Sequence, residues 1–434
     1  MGTNTNSLRE RHLKAVSAGI GTKGIYAARA ENAEMWDVDG KHYIDFAAGI
    51  AVNNTGHRHP KIMKAVAEQA SRFTHTCFHV APFEGYIRLA ERLNALAPIA
   101  GPAKTMLVTT GAEAVENAIK IARIATGRPA VIAFAGGFHG RTLMGMALTG
   151  KVAPYKTGFG PFPADVYHAP YPNDFHGVSI DDALRSLEML LAADVDPSRV
   201  AAIIIEPIQG EGGFVPAPAA FLAAIRDIAD QHGILLIADE VQTGIGRTGA
   251  MFALEGSGVK ADLVTLAKGL AGGFPLSAVV GRADLMDAAH VGGLGGTYAG
   301  NPLAVAAANA VIEIVQEEQL CERALAIGRT ITDRLTSLAH RQGMECIGDI
   351  RGPGAMVAFE LVTDRDTRNP DPALTNMVIR EAEMRGLILL GCGTRFNVIR
   401  LLPPLTIPES ILAEGLDILE ASIIAATGCE AEAA

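Results

Sequence analysis

Long apolar runs are missing from this sequence. No stretch approaches the roughly 18 apolar residues that a membrane-spanning helix needs, because charges, glycines or prolines interrupt each one. The N-terminus, MGTNTNSLRERHLKAVSAG, has no apolar core of the kind that marks a secretory signal, and its Met-Gly start alone is a weak myristoylation mark. Cysteine is scarce and scattered. Cys77, Cys321, Cys346, Cys392 and Cys429 are odd in number and contain no CxxC, which argues against a disulfide framework or zinc ribbon and for a reducing cytoplasm. Basic residues form no block and the net charge is -10, so neither nucleic acid nor a membrane is expected as a partner. His57 and His59 in GHRHP lack further ligands at metal-binding spacing, and no metal is expected. Internal repeats and low-complexity segments are absent as well.

What is present is a chain of 434 residues, 49% of them hydrophobic, long enough for two or three domains with a large core. Residues 34 to 52 read as a hairpin around Asp39-Gly40 leading into an apolar segment. From about residue 105 to 281, short apolar strands alternate with amphipathic helices: TMLVT (105–109), AVIAF (130–134), VAAIII (200–205), ILLIAD (234–239), LVTLA (263–267) and SAVVG (277–281). Their unbroken apolar character predicts burial on both faces, as in a mostly parallel sheet. After about residue 315 come a long helix and strands near 355–361, 386–391 and 396–402, and the tail after Gly428 is expected to fray. The expected architecture is α/β. A large domain over 56–314 carries the parallel sheet, and a small α+β domain is assembled from 1–55 and 315–434.

Ligands in open α/β sheets bind beyond the carboxyl ends of the strands, so the residues ending each strand carry the argument. VAAIII ends in Glu206, ILLIA in Asp239-Glu240, and LVTLA in Lys268. One such charge is commonly a solvated strand end. Three from nearby strands make a candidate site. Thr109-Thr110-Gly111-Ala112-Glu113 follows a strand and opens a helix, where small residues let backbone N–H groups and the helix dipole meet a phosphate. Gly145 to Lys151 matches the first seven positions of a P-loop, but Val152 stands where a magnesium-binding Ser or Thr must be, so a nucleotide triphosphatase is rejected. Phe138, in Phe138-His139-Gly140-Arg141, is placed either to stack on a planar cofactor or simply to fill core.

These segments resemble a known family. ILLIADEVQTGIGRTG followed by LVTLAKGLAGGFPLSAVVG is similar to the signature of class III aminotransferases, which are pyridoxal-phosphate (PLP) enzymes of fold type I. TTGAEAVENAIKIAR, GFHGRT, IIIEPIQGEGG and GGTYAGNPLA carry the same likeness, which runs from about residue 20 to 425. GIAVNNTGHRHP, THTCFHV, ALTGKVAPY and GTRFNVIRLLPPLTI resemble the bacterial 4-aminobutyrate (GABA) branch of that class.

The resemblance implies the following roles. Lys268 is the Schiff-base lysine and proton shuttle, and Asp239 pairs with the pyridine nitrogen. Val241 and Phe138 pack on the two ring faces, Phe138 standing where close relatives often carry tyrosine. Gln242 reaches the phenolic oxygen, and Glu206 supports the cofactor edge. Gly111 and Ala112 donate backbone N–H groups to the phosphate, and Thr297 of a neighbouring subunit does likewise, which implies a homo-oligomer that is at least a dimer. For substrates, Arg141 holds the distal carboxylate and Arg400 the α-carboxylate of glutamate or 2-oxoglutarate. Glu211 covers Arg400 when GABA is bound, and Ile50 provides an apolar wall. The implied reaction is ping-pong transamination between GABA and 2-oxoglutarate. Other ω-amine donors (5-aminovalerate, ornithine, N-acetylornithine), a same-fold racemase or aminomutase, and a cofactor-less binding protein remain alternatives.

Overall fold

The computed structural model describes residues 2–428, so the tail expected to fray and Cys429 lie outside the described residues. A helix over Thr3–Ala15 opens the chain. It has almost no apolar stripe, and only Thr5 is buried. The Asp39 carboxylate anchors its first turn by accepting the Asn4 and Thr5 N–H groups, each at 3.1 Å.

Next come β1 (Ala27–Glu31), β2 (Glu34–Asp37) and β3 (His42–Asp45), paired antiparallel. β2 and β3 form the expected hairpin, turning where Gly40 takes a φ of 85°. The apolar segment after it is not a strand. Ala48, Gly49, Ile50 and Ala51 all have positive φ, between 45° and 66°, forming a left-handed turn. The Asp45 carboxylate enforces that turn by accepting the Ala47 and Ala48 N–H groups at 2.9 Å.

The central sheet contains β4 (Ala103–Val108), β5 (Ala130–Phe134), β6 (Val166–Ala169) and β7 (Val200–Ile205). A short ribbon of β8 (Ile208–Gln209) and β9 (Val215–Pro216) leaves the end of β7. β10 (Leu235–Asp239), β11 (Leu263–Leu266) and β12 (Ser277–Arg282) complete the sheet in the order β4-β12-β11-β10-β7-β5-β6. Only β12 runs against its neighbours, so the sheet is mostly parallel as expected. β5, β7, β10 and β11 are buried along their full length. Alternate residues feed two cores on opposite faces. Val131, Ala133, Ala202 and Ile204 enter one, while Ile132, Phe134, Ile203 and Ile205 enter the other. β6 was missed because it is an edge strand of mixed exposure, without an apolar run.

The last third supplies β13 (Ile347–Arg351), β14 (Val357–Leu361), β15 (Leu387–Ile388), β16 (Leu390–Cys392) and β17 (Val398–Leu401). β13-β14-β17-β16 form one sheet, whereas β15 joins the N-terminal strands beside β3. The single strand expected near 386–391 is therefore two strands in different sheets. β13, half-exposed with the sequence IGDIR, was not anticipated.

Arg247 ties these parts together. It is fully buried, and among the described residues no carboxylate pairs with it. It donates to Asn54 Oδ1 at 2.7 Å, to Ala355 O at 3.0 Å and to Pro403 O at 2.7 Å. Burial pulls its pKa down to about 9. Arg247→Leu removes the donor to two buried carbonyls and to Asn54 Oδ1, and is expected to cost about 3 kcal/mol of stability. Matching urea midpoints for the two proteins would contradict this bridging role.

Candidate active site

Glu206, Asp239 and Lys268 leave the carboxyl ends of β7, β10 and β11, three adjacent parallel strands. Register brings Asp239 opposite Thr265, whose hydroxyl donates to Asp239 Oδ1 at 2.9 Å. The Val241 N–H donates to the same oxygen at 3.1 Å, and His139 Nδ1 lies 2.7 Å from Oδ2. Both side chains of the His139–Asp239 pair are almost fully buried. Burial works against the His139 imidazolium, but the Asp239 carboxylate outweighs it and raises the pKa. His139 sits inside the GFHGRT motif, which by itself assigns it no role. Its partner lies 100 residues away, and nothing local marks the pairing.

Glu206 accepts the Phe138 N–H at 2.8 Å and the Gly210 N–H at 2.9 Å, which fixes the loop carrying Phe138. Burial pushes its carboxyl up to about 7, with Asp239 adding to the shift and His139 opposing it. Lys268 has a φ of 45°, an uncommon conformation that aims its side chain from the strand end. Burial draws its amine below the usual lysine range. Glu211, Glu206 and Asp239 oppose that shift, and Arg400 reinforces it. A buried amine of this kind is neutral more readily, and so better able to take up a proton.

The phosphate cradle follows from a capping box. Glu113 Oε2 accepts the Thr109 and Thr110 N–H groups, while the Thr110 hydroxyl accepts the Glu113 N–H. This leaves the Gly111 and Ala112 N–H groups, at the start of the helix Gly111–Thr126, without an intrahelical acceptor. A Cβ on Gly111 would meet Val241 Cγ1 at 2.9 Å, so the close approach requires glycine.

Gly111, Ala112, Phe138, Glu206, Glu211, Asp239, Val241, Gln242 and Lys268 all line one cavity of about 330 Å³. The buried Gln242 Oε1 has no hydrogen-bond partner. A buried anion, an amine, an anion-binding helix start, an unsatisfied amide and apolar walls fit pyridoxal phosphate group by group.

A second cluster adjoins the first. Arg400, on β17, forms a short ion pair with Glu211; the arginine side chain is buried and that of Glu211 nearly so. The Tyr155 hydroxyl, which the sequence did not single out, donates to Glu211 Oε2 at 2.8 Å. The Tyr155 ring lies 4.7 Å from the Phe138 ring and 4.8 Å from the Arg141 guanidinium carbon. Burial tends to raise the Glu211 pKa, but Arg400, Lys268 and Tyr155 bring it down to about 2. Ile50, Arg141 and Arg400 are not in the cavity wall, and Thr297 is exposed away from it. His57 bonds Asp45 at 3.1 Å and His59 bonds Glu318 at 3.0 Å. Among the described residues no cluster of three or more His, Cys, Asp or Glu side chains is arranged to hold a metal ion, and no helix is long and apolar enough to cross a membrane.

Residues 17–423 match the family model described as Aminotransferase class-III. The chain is 52% identical to the 5-aminovalerate aminotransferase DavT of Pseudomonas putida, over 97% of this chain and 98% of that protein. It is 51% identical to the 4-aminobutyrate aminotransferase GabT of Escherichia coli, over 95% and 96% of the two chains. Among solved structures, an ornithine aminotransferase from Toxoplasma gondii superposes with a TM-score of 0.86 at 30% identity, covering 98% of this chain and 96% of that one. An amine transaminase from an uncultivated Pseudomonas species, solved in its PLP-bound form, superposes equally well, with a TM-score of 0.86 at 31% identity over 95% and 98%.

The left-handed turn yields a test. Ile50 is β-branched, 41% exposed, and held at a φ of 66°. That conformation costs on the order of 1–3 kcal/mol. Ile50→Asn, which tolerates positive φ, is expected to raise stability by about 1 kcal/mol, whereas Ile50→Val is not. A lower urea midpoint for Ile50→Asn would show that the turn stores no strain.

Proposed function

This chain belongs to the class III aminotransferases, which depend on pyridoxal phosphate, and we propose that it moves the amino group of 4-aminobutyrate to 2-oxoglutarate, giving succinate semialdehyde and glutamate in two half-reactions. The observation that carries the proposal is the buried Glu211–Arg400 pair beside Lys268. A donor with no carboxylate on its amine-bearing carbon needs Arg400 neutralised, because an unpaired buried guanidinium is costly. Glutamate and 2-oxoglutarate bring a carboxylate of their own, and Glu211 must then give way.

Pyridoxal phosphate, when bound, supplies the aldehyde that exchanges for the amino group and a ring that draws electron density from the adjacent carbon. The chain's residues do the rest. Lys268 would take the proton from the amine-bearing carbon and pass it to the cofactor's aldehyde-bearing carbon within the same half-reaction, moving it the opposite way in the second. Asp239, held by His139, the Thr265 hydroxyl and the Val241 N–H, would pair with the ring nitrogen and favour its protonated form. The Gly111 and Ala112 N–H groups would hold the phosphate, with Val241 and Phe138, which line the same cavity, against the ring faces. Gln242 Oε1, which has no partner in the protein, would accept a hydrogen bond from the phenolic hydroxyl of the bound cofactor. Arg141 takes the distal carboxylate, and Ile50 lines the methylenes. Thr297, exposed on this chain, reaches the phosphate of a second copy, which makes the working unit a homodimer or larger.

A second reading takes 5-aminovalerate as the preferred donor, favoured by the 52% identity to DavT. That donor also lacks an α-carboxylate and differs by one methylene, a difference worth about 1–3 kcal/mol in a pocket. kcat/KM for GABA, 5-aminovalerate, β-alanine, ornithine and N-acetylornithine, each with 2-oxoglutarate, separates the readings. GABA is expected to lead, and a 5-aminovalerate preference of tenfold or more would install the second reading instead.

Two variants test the roles. Lys268→Ala is expected to lower turnover by roughly 10⁴-fold, and appreciable turnover would remove Lys268 from the chemistry. Glu211→Ser is expected to slow the GABA half-reaction by about 10²-fold more than the glutamate half-reaction, since it leaves Arg400 bare only in the former. Equal losses would refute the switch.

A further inference from the structure

A carboxylate leaving Arg400 inside the protein needs another positive partner, because an unpaired buried charge is strongly disfavoured. Lys151 meets that need. It follows the turn at Gly150, is only 6% exposed, and among the described residues has no carboxylate within ion-pair distance. Its Nζ lies 5.7 Å from the centre of the Tyr155 ring and 4.8 Å from that of Phe396. Tyr155 in turn holds Glu211 Oε2 at 2.8 Å, while Arg400 holds Oε1. One carboxylate therefore sits among two cations and a phenol, each of its oxygens on a different donor. Burial lowers the Lys151 pKa, and Glu211 is close enough to oppose that shift.

We propose that Lys151 is the second docking point of the Glu211 carboxylate: when a dicarboxylate occupies Arg400, Glu211 keeps its Tyr155 hydrogen bond and turns to pair with Lys151. This rests on the reading that Arg400 receives the α-carboxylate. Charge balance supports the assignment. Arg400 and Lys151 are two cations beside one anion, Glu211, and Arg141 lies 4.8 Å from the ring of Tyr155, which bonds that anion. A dicarboxylate held by Arg400 and Arg141 brings one carboxylate for each arginine and leaves the Glu211 carboxylate to Lys151. An ω-amino acid brings one, and Lys151 then remains unpaired beside the Tyr155 and Phe396 rings, which tolerate a cation. Lys151 touches neither substrate nor cofactor in this scheme, so it is a positioning residue.

The test is equilibrium binding to the holoenzyme by calorimetry, with glutarate as the two-carboxylate probe and butyrate as the one-carboxylate probe. Lys151→Met is expected to weaken glutarate roughly 10- to 100-fold and butyrate by less than about threefold, and Lys151→Arg to restore most of the loss. The glutamate half-reaction should fall with glutarate affinity while the GABA half-reaction holds. In a crystal structure with glutarate bound, a Glu211 oxygen should lie within about 4 Å of Lys151 Nζ. Equal weakening of both probes, unchanged glutarate binding, or no gain from Lys151→Arg would overturn the proposal. Arg400→Met, measured alongside, separates the premise. If it leaves glutarate binding intact, the reading of Arg400 fails and the proposal with it. If it abolishes glutarate binding while Lys151→Met changes nothing, only the proposal fails.

Discussion

The site depends on one carboxylate held by three hydrogen bonds in the apolar interior. Asp239 ends a strand that is buried along its whole length, and three donors compensate for the water it lacks: the Thr265 hydroxyl, the Val241 N–H and His139. Each donor comes from a different consequence of the fold. Thr265 arrives through the register of β10 with β11, Val241 through the turn after β10, and His139 from the loop beyond β5. A one-residue slip between β10 and β11 would move Thr265 off the carboxylate. The long apolar runs of the sheet therefore do more than fill a core, since they hold the register that keeps an anion where water is excluded and its field strong.

The chemistry and the choice of substrate are built from different parts of the chain. Glu206, Asp239 and Lys268 are neighbours on the central sheet, fixed by local register. The Glu211–Arg400 pair joins residues 189 apart in sequence, one after β7 and the other on β17 in the last third of the chain. Arg247 braces the same junction through the Ala355 and Pro403 carbonyls. On the proposed reading, Lys268 and Asp239 treat every amine alike, and selection among donors falls to the charges around Glu211.

Legibility followed the same division. The strands around Glu206, Asp239 and Lys268 were readable because continuous apolar runs end abruptly in charge, and the PLP-enzyme motifs cover most of the chain. Edge strands β6 and β13 were not, since half-exposed strands carry no run to detect. The stretch after β3 reads only as apolar, and Asp45 bends it into a left-handed turn, a conformation that side-chain hydropathy does not encode. His139 and Tyr155 escaped because their importance lies entirely in partners distant in sequence, Asp239 and Glu211. Motif likeness located Arg400 and Glu211, and geometry alone added the phenol and the lysine beside them.

The central claim is that one buried carboxylate serves both half-reactions while other residues choose the substrate. Single-turnover rates of Asp239→Asn with GABA and with glutamate test it most directly. The account predicts that both fall together, by on the order of 10²–10³-fold, because the lost interaction is common to both. A loss confined to one half-reaction would contradict it, placing Asp239 in substrate choice instead of in the shared chemistry.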